Sequence, residues 1–329
     1  MSIHSIRKTV ASSHRDRHNT IITKGALEGL ASSINGEYAV SIGVEHDPTF
    51  PPMGKVTDAT LEPTDDGEWR VVATQELFDD PVEIALPDGT TAWMQWSPTD
   101  QRPFSVSNED FDDGFVVSID PANFATPEDY TVFLETLKGD AEFTYETYFR
   151  KSLLADPQLI ISFGAIGLYL WSRIGKSAVE QASVPLSREI GNDLAKLYSL
   201  IKSAVAGMTK LAIPKNRPQT YIIRVPGSPI VDLIARTADA DLLTSSLQAE
   251  RIAPALEKAM SLKERLGATN VQFEMEATGE WRFNYLLTTT GAVIGRPAKF
   301  TERNQQLEMI VDNVLALQTA ERNRTDRPT

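Results

Sequence analysis

The side chains able to do chemistry in this chain are few. None of its 329 residues is cysteine, which excludes thiol nucleophiles, zinc–thiolate centres, iron–sulfur clusters and disulfides. Of four histidines, His4, His14 and His18 lie near the start and His46 stands alone beyond them. His46 belongs to the stretch Glu45-His46-Asp47-Pro48-Thr49-Phe50-Pro51-Pro52-Met53-Gly54-Lys55-Val56. Pro48 pushes Asp47 out of the helical region, so the chain must bend just after the imidazole. A histidine in a loop beside a strand suits proton transfer, and it equally suits a bend with no chemical role. Its natural partner is a hydroxyl, a poor nucleophile unless a base within hydrogen-bond reach removes its proton. Arg102-Pro103-Phe104-Ser105-Val106-Ser107-Asn108 offers two, Ser105 and Ser107, which share one face of a strand. Nothing in the spacing brings either to His46.

Other chemistries find less support. Histidines this few and this clustered argue against a ligand set for a metal. The neighbouring acids Asp65-Asp66, Asp79-Asp80 and Asp112-Asp113 would point apart in strands and read as turn and solvating residues rather than calcium ligands. Gly164 and Gly167 are expected to lie in an apolar helix, not between a strand and a helix, so no phosphate loop is expected. Neither a metal nor a cofactor is expected.

Local signals define the elements that must position these groups. Thr23 reads as the cap of a helix over Lys24–Ile34, with Gly36 just past its end. Tyr38–Glu45 reads as the strand leading to His46. Lys55–Leu61 and Trp69–Glu76 form a hairpin pattern across Pro63-Thr64-Asp65-Asp66-Gly67. Further strands are expected at Ala92–Trp96, Phe104–Asn108 and Gly114–Ile119. Thr126-Pro127-Glu128-Asp129 starts a helix with a cap, an early proline and acids near the positive end of the dipole. Apolar residues at Leu194, Leu197, Ile201, Ala204, Val205 and Met208 predict a one-faced helix over Asp193–Leu211. Strands follow at Thr220–Val225 and Ile230–Ala235. A helix over Ala240–Leu266 is expected to kink or split at Pro254. Val271, Phe273 and Met275 alternate with polar residues in a half-buried strand that turns at Thr278-Gly279 into Trp281–Thr288. Thr301–Arg322 closes the chain as an amphipathic helix.

The composition is that of a globular protein, 41% hydrophobic and 23% charged. Net charge is −13, and residues 1–125 hold 21 acidic against 8 basic side chains, so the whole excess lies there. That surface repels nucleic-acid phosphates, so no nucleic-acid partner is expected; it reads as solubilising, or as attractive to a basic protein. The first residues lack the apolar core of a signal peptide, and a cytoplasmic location is the expectation. The apolar run Leu159–Trp171 falls short of the roughly 20 residues that cross a bilayer. It reads as a buried core helix, with a membrane or partner contact as the competing reading. A boundary near Ala125 would divide the chain into a mostly-β part, 1–125, and an α+β part, 126–329, with helices at both ends of a small antiparallel sheet.

The ordered features of residues 1–125 resemble the prohead maturation proteases of tailed phages, serine peptidases with an assemblin-like barrel. The resemblance rests on Asp16-Arg17-His18-Asn19-Thr20-Ile21-Ile22-Thr23-Lys24-Gly25-Ala26-Leu27, on His46-Asp47-Pro48 through Pro52-Met53-Gly54-Lys55-Val56, on Phe104-Ser105-Val106-Ser107, and on Val117-Ser118-Ile119-Asp120-Pro121-Ala122-Asn123. It implies His46 as base and Ser105 as nucleophile. Asp120, the nearest acid on the closing segment, is expected to orient the histidine, and backbone N–H groups, helped by Arg102, to hold the oxyanion. The resemblance implies a capsid or scaffold protein as substrate or partner; separately, a homo-oligomer is expected. Ser107 stands where that family has glycine, and Val116 where it has an acidic residue. The stretch Pro81–Trp96 has no counterpart. Two functions are therefore expected to compete: a serine endopeptidase, or an inactive protease-like module that recognises a capsid-type protein and carries residues 126–329 as effector or oligomerisation part.

Overall fold

The computed structural model describes residues 4–15, 21–104, 114–138, 143–147, 157–172 and 188–325. They form two sheets with helices, a mixed α/β architecture. The first sheet is antiparallel: β1 (His4–Ser12), β2 (Val40–Ile42), β3 (Gly54–Pro63) and β4 (Trp69–Leu77), in the order β1-β4-β3-β2. Among the described residues its outer strands do not pair with each other, so these four strands form no closed barrel. Helix α1 (Lys24–Ile34) covers it and buries Leu27 and Ile34 against Val56, Ala59, Val71 and Ala73. The helix starts where the Thr23 hydroxyl accepts from the Ala26 N–H, 3.3 Å away. At its other end, Asn35 bonds both backbone groups of Ala59, at 2.9 and 2.8 Å.

The second sheet has ten strands: β5 (Val82–Ala85), β6 (Thr91–Gln95), β7 (Phe115–Ile119), β8 (Phe143–Thr147), β9 (Gln158–Phe163), β10 (Gln219–Val225), β11 (Ile230–Thr237), β12 (Ala268–Met275), β13 (Trp281–Thr288) and β14 (Val293–Gly295). Their order is β5-β6-β14-β13-β12-β11-β10-β9-β7-β8. This sheet is neither small nor purely antiparallel, because β9–β10, β11–β12 and β7–β8 pair in parallel. It also takes strands from both sides of Ala125. The sheets part between Leu77 and Val82, and no break between them coincides with the boundary expected near Ala125.

Helices α2 (Pro127–Lys138), α3 (Ala165–Ser172), α4 (Arg188–Leu211), α5 (Ala240–Ser246) and α6 (Ala249–Leu266) supply the layer on one face of this sheet. The expected stripe of α4, including Leu197, Ile201, Val205 and Met208, joins Phe133, Leu137, Ile252 and Leu256. Together they bury Val117, Ile161, Tyr221, Ile223, Leu233, Phe273 and Phe283. Each such side chain contributes about 1.5–3 kcal/mol by leaving water. The run Leu159–Trp171 is not one helix: Leu159–Phe163 lies in β9, and the chain turns at Gly164 into α3. Among the described residues no helix is long and apolar enough to cross a membrane.

The helical stretch after Ala240 splits at Leu247-Gln248 rather than at Pro254, which sits inside α6. The hydroxyls of Ser245 and Ser246 bond back to Leu242 O and Leu243 O, at 2.9 and 2.7 Å, in competition with the helical ladder. Trp281 Nε1 then donates to Ser246 O at 2.9 Å.

Candidate functional site

The other face of the large sheet carries the site. Strand β2 ends at Ile42, earlier than the expected Glu45, because Glu45 and His46 both adopt φ of 52°. Two consecutive non-glycine residues in that region cost roughly 1–2 kcal/mol each, so the turn persists only if its surroundings hold it. They do, because residues 47–53 form a strap fastened from below. Asp47 Oδ1 accepts from Thr49 N at 2.9 Å and from Gln158 Nε2 at 2.7 Å. Pro48 O accepts from the Tyr285 hydroxyl at 2.7 Å and from Gln272 Nε2 at 2.9 Å. Thr49 O accepts from Asn284 Nδ2 at 3.0 Å. The buried guanidinium of Arg303, on α7 (Pro297–Thr325), donates through Nη1 to Pro51 O and Pro52 O at 3.3 and 2.9 Å. Met53 N closes the strap onto Ile42 O at 2.8 Å.

Asn284 and Tyr285 are sequence neighbours, yet both reach the strap. In a regular strand they would point to opposite faces. The pairing of β13 with β12 shifts here: Tyr285 opposes Gln272, while Phe283 opposes Phe273, so Asn284 is the extra residue of a bulge. Phe283 and Leu286 can thus both enter the helix-side core, while Tyr285 and Leu287 join Ala39, Phe78, Phe104, Val293 and Phe300 under the strap.

A cavity of about 260 Å³ opens beside the strap, lined by residues that include His46, Asp47, Phe50, Phe104, Arg224, Asp232, Asn270 and Tyr285. Arg224 and Asp232 oppose each other across β10 and β11. They form a bidentate ion pair, Nε to Oδ1 at 2.8 Å and Nη2 to Oδ2 at 3.2 Å. Asn270 Nδ2 adds 3.1 Å to Oδ2. Burial, and then the charges of Asp232 and Asp47, push the Tyr285 hydroxyl far above its ordinary value, so it stays protonated and donates.

A second cavity, of about 350 Å³, lies on the strap's other side, and Asp47 lines both. Its wall includes Glu274, which takes 2.9 Å from Lys299 and 2.6 Å from Arg296. Burial opposes ionisation of Glu274, but those two cations outweigh it and hold the carboxyl below its usual range.

His46 is exposed on the rim of the first cavity, and Phe104 forms part of its wall. Ser105 and Ser107 lie outside the described residues, as do Asp112 and Asp113. Asp120 is buried and does not line this cavity. Its carboxylate accepts from Ala122 N at 2.9 Å and caps the short 3-10 turn Pro121–Asn123.

Arg102 clamps two segments together. Its Nε and Nη2 hold Asp100 at 3.0 and 2.6 Å, and its Nη1 holds Ile34 O and Gly36 O at 2.8 and 2.7 Å. Lys55, fully buried, fastens the same segment from β3 by donating to Asp100 O at 2.6 Å and Arg102 O at 2.7 Å. Burial lowers its pKa, opposed by Asp100. Gly291 admits this packing: a Cβ there would meet Lys55 Nζ at 2.3 Å, and its φ of 68° suits glycine.

Sequence reasoning missed Arg224, Asp232, Asn270, Gln272 and Asn284. The available signal was a polar residue inside each apolar strand: Arg224 in Gln219–Val225, Asp232 in Ile230–Thr237, Gln272 in Ala268–Met275 and Asn284 in Trp281–Thr288. Such groups are buried only when paired. Among the described residues no group of three or more His, Asp or Glu could hold a metal ion. Compared with family models, curated proteins and solved structures, the chain matches none of them.

Proposed function

We propose that the chain is a serine endopeptidase of the prohead-maturation type that works at the His46 cavity. The observation that carries this reading is that His46 and Phe104 line one cavity, and Ser105 follows Phe104 in the chain. In this reading His46 takes the Ser105 hydroxyl proton as the oxygen attacks a peptide carbonyl, and returns it to the departing amine. Water, activated by the same imidazole, then cleaves the acyl-serine ester and frees the serine. Backbone N–H groups hold the oxyanion, since the Arg102 donors are engaged elsewhere. With Asp120 capping the 3-10 turn, the site works as a dyad. The substrate implied is a capsid or scaffold protein.

A second reading, recognition of such a protein without hydrolysis, is favoured by a specific observation. The two residues expected to complete the machinery, Asp120 and Arg102, are both occupied in holding backbone. A serine-directed fluorophosphonate probe separates the readings. Labelling of the wild type that is lost in Ser105→Ala and in His46→Ala supports the peptidase. A folded wild type that takes no label rejects it and leaves recognition.

A further inference from the structure

We infer that the His46 cavity selects a basic side chain, lysine or arginine, from the peptide it takes; this rests on the reading of that cavity as the peptide site. A cationic side chain has a long apolar stem and a charged head, and a site that takes it needs an apolar sleeve ending in uncompensated carboxylate. Both parts are present. Phe50, Phe104 and the ring of Tyr285 give the cavity its apolar wall, and Asp47 and Asp232 give it carboxylates. Asp232 is neutralised by the bidentate pair with Arg224. Asp47 has no such cation among the described residues: its Oδ1 accepts from an amide side chain and a backbone N–H, both neutral. With the imidazole counted neutral, the lining carries one negative charge more than positive, and the surplus is at Asp47. The field of both carboxylates reaches inward, since each raises the Tyr285 hydroxyl after burial does. Residues 1–125, which supply His46, Asp47, Phe50 and Phe104 to the cavity, carry the whole net charge of −13, a balance that attracts basic peptides and repels acidic ones.

A phosphorylated or acidic peptide would put like charges against Asp47. A purely apolar side chain would fill the sleeve but cover the carboxylate without bringing it a cation. Aromatic walls and a carboxylate together therefore favour Lys or Arg over both.

The test uses the full chain as Ser105→Ala, so that binding is read apart from turnover. Three fluorescein-labelled short peptides, identical except for Arg, norleucine or Glu at the centre, are titrated by fluorescence anisotropy. The Arg peptide is expected to bind at least about tenfold tighter than the norleucine peptide. The Glu peptide is expected to bind weakest. Asp47→Asn keeps the Oδ1 acceptor for Gln158 and Thr49 and removes only the charge, so it should abolish the Arg preference. Ser41→Lys, on the exposed rim away from the strap, should weaken the Arg peptide in the same direction. Salt near 1 M, where the screening length falls to about 3 Å, should reduce the preference. Equal binding of the Arg and norleucine peptides, a preference unchanged in both variants, or no saturable binding of any peptide overturns the inference. Fluorophosphonate labelling that succeeds while the preference fails would leave the peptidase standing and remove only the specificity.

Discussion

His46 is held in place by residues far from it in sequence. The strap behind it hangs on Arg303 at the far end of the chain, whose pKa burial lowers to about 10. Arg303 also donates from Nη2 to Gln95 Oε1 at 3.1 Å. Arg303→Met leaves Pro51 O, Pro52 O and Gln95 Oε1 without that donor, and each orphaned buried group costs about 1–3 kcal/mol. Urea unfolding should show a loss of at least about 3 kcal/mol, with Arg303→Lys recovering part of it. A second residue-scale prediction concerns His14, whose Nε2 lies 2.7 Å from Asp66 Oδ2. The hydrogen bond to Asp66 raises the His14 pKa above 6.5, and the Asp66 carboxyl, bonded by Thr64 and then by His14, falls to about 2. A raised histidine stabilises the fold below its unfolded pKa and loses that contribution as pH rises through the folded value. An NMR titration should therefore place His14 above the ordinary histidine, and Asp66→Asn should return it.

At the scale of elements, caps and turns were legible because they are local. Thr23 caps α1 as its position implies, Thr126 Oγ1 accepts from Asp129 N at 3.1 Å at the start of α2, and Gly67 takes φ of 88° in the β3–β4 turn. The bulge at Asn284 was not legible, because it exists only in the register between β12 and β13. Nor was the β9–α3 break, since a short apolar run gives no period to tell strand from helix. The Arg224–Asp232 pair likewise depends on register, which sequence spacing alone does not fix. The bulge makes a prediction of its own. Asn284→Ala keeps the backbone path but removes the donor to Thr49 O and to Gln272 Oε1. Stability should fall by about 1–3 kcal/mol. Hydrogen exchange at Asp47 and Met53 should quicken while the amides of β11 hold their protection. Unchanged exchange in the strap would contradict the anchoring role.

Across the whole molecule, the acidic excess of residues 1–125 was legible in the sequence, while the strand pairing that joins both sides of Ala125 was not. The composition shift near Ala125 marks charge rather than a break in the sheet, because β6 pairs with β14 and β7 with β9. The small sheet is tied to the large one's neighbourhood through Lys55, which reaches the segment after β6, and through Ala39, whose N–H donates to Pro103 O at 2.8 Å. Lys55→Met removes hydrogen bonds to two backbone carbonyls, one of them buried, and leaves Asp100 with one cation fewer. That change should cost about 3–5 kcal/mol. Calorimetry should then show the small sheet melting ahead of the large one, against a single expected transition in the wild type. A single transition in the variant would mean that the coupling runs by another route.

The central claim is that the imidazole of His46 and the hydroxyl of Ser105 serve one site. The absence of cysteine makes a direct measurement possible. His46→Cys and Ser105→Cys introduced together give the only two thiols, and a short bis-maleimide can join them only if they lie close. Tryptic mass spectrometry should find the peptides bearing positions 46 and 105 joined within one chain in the folded protein, and unjoined after unfolding. If each thiol instead takes its own reagent molecule in the folded protein and no joined peptide forms, the two side chains do not share a site and the peptidase account fails.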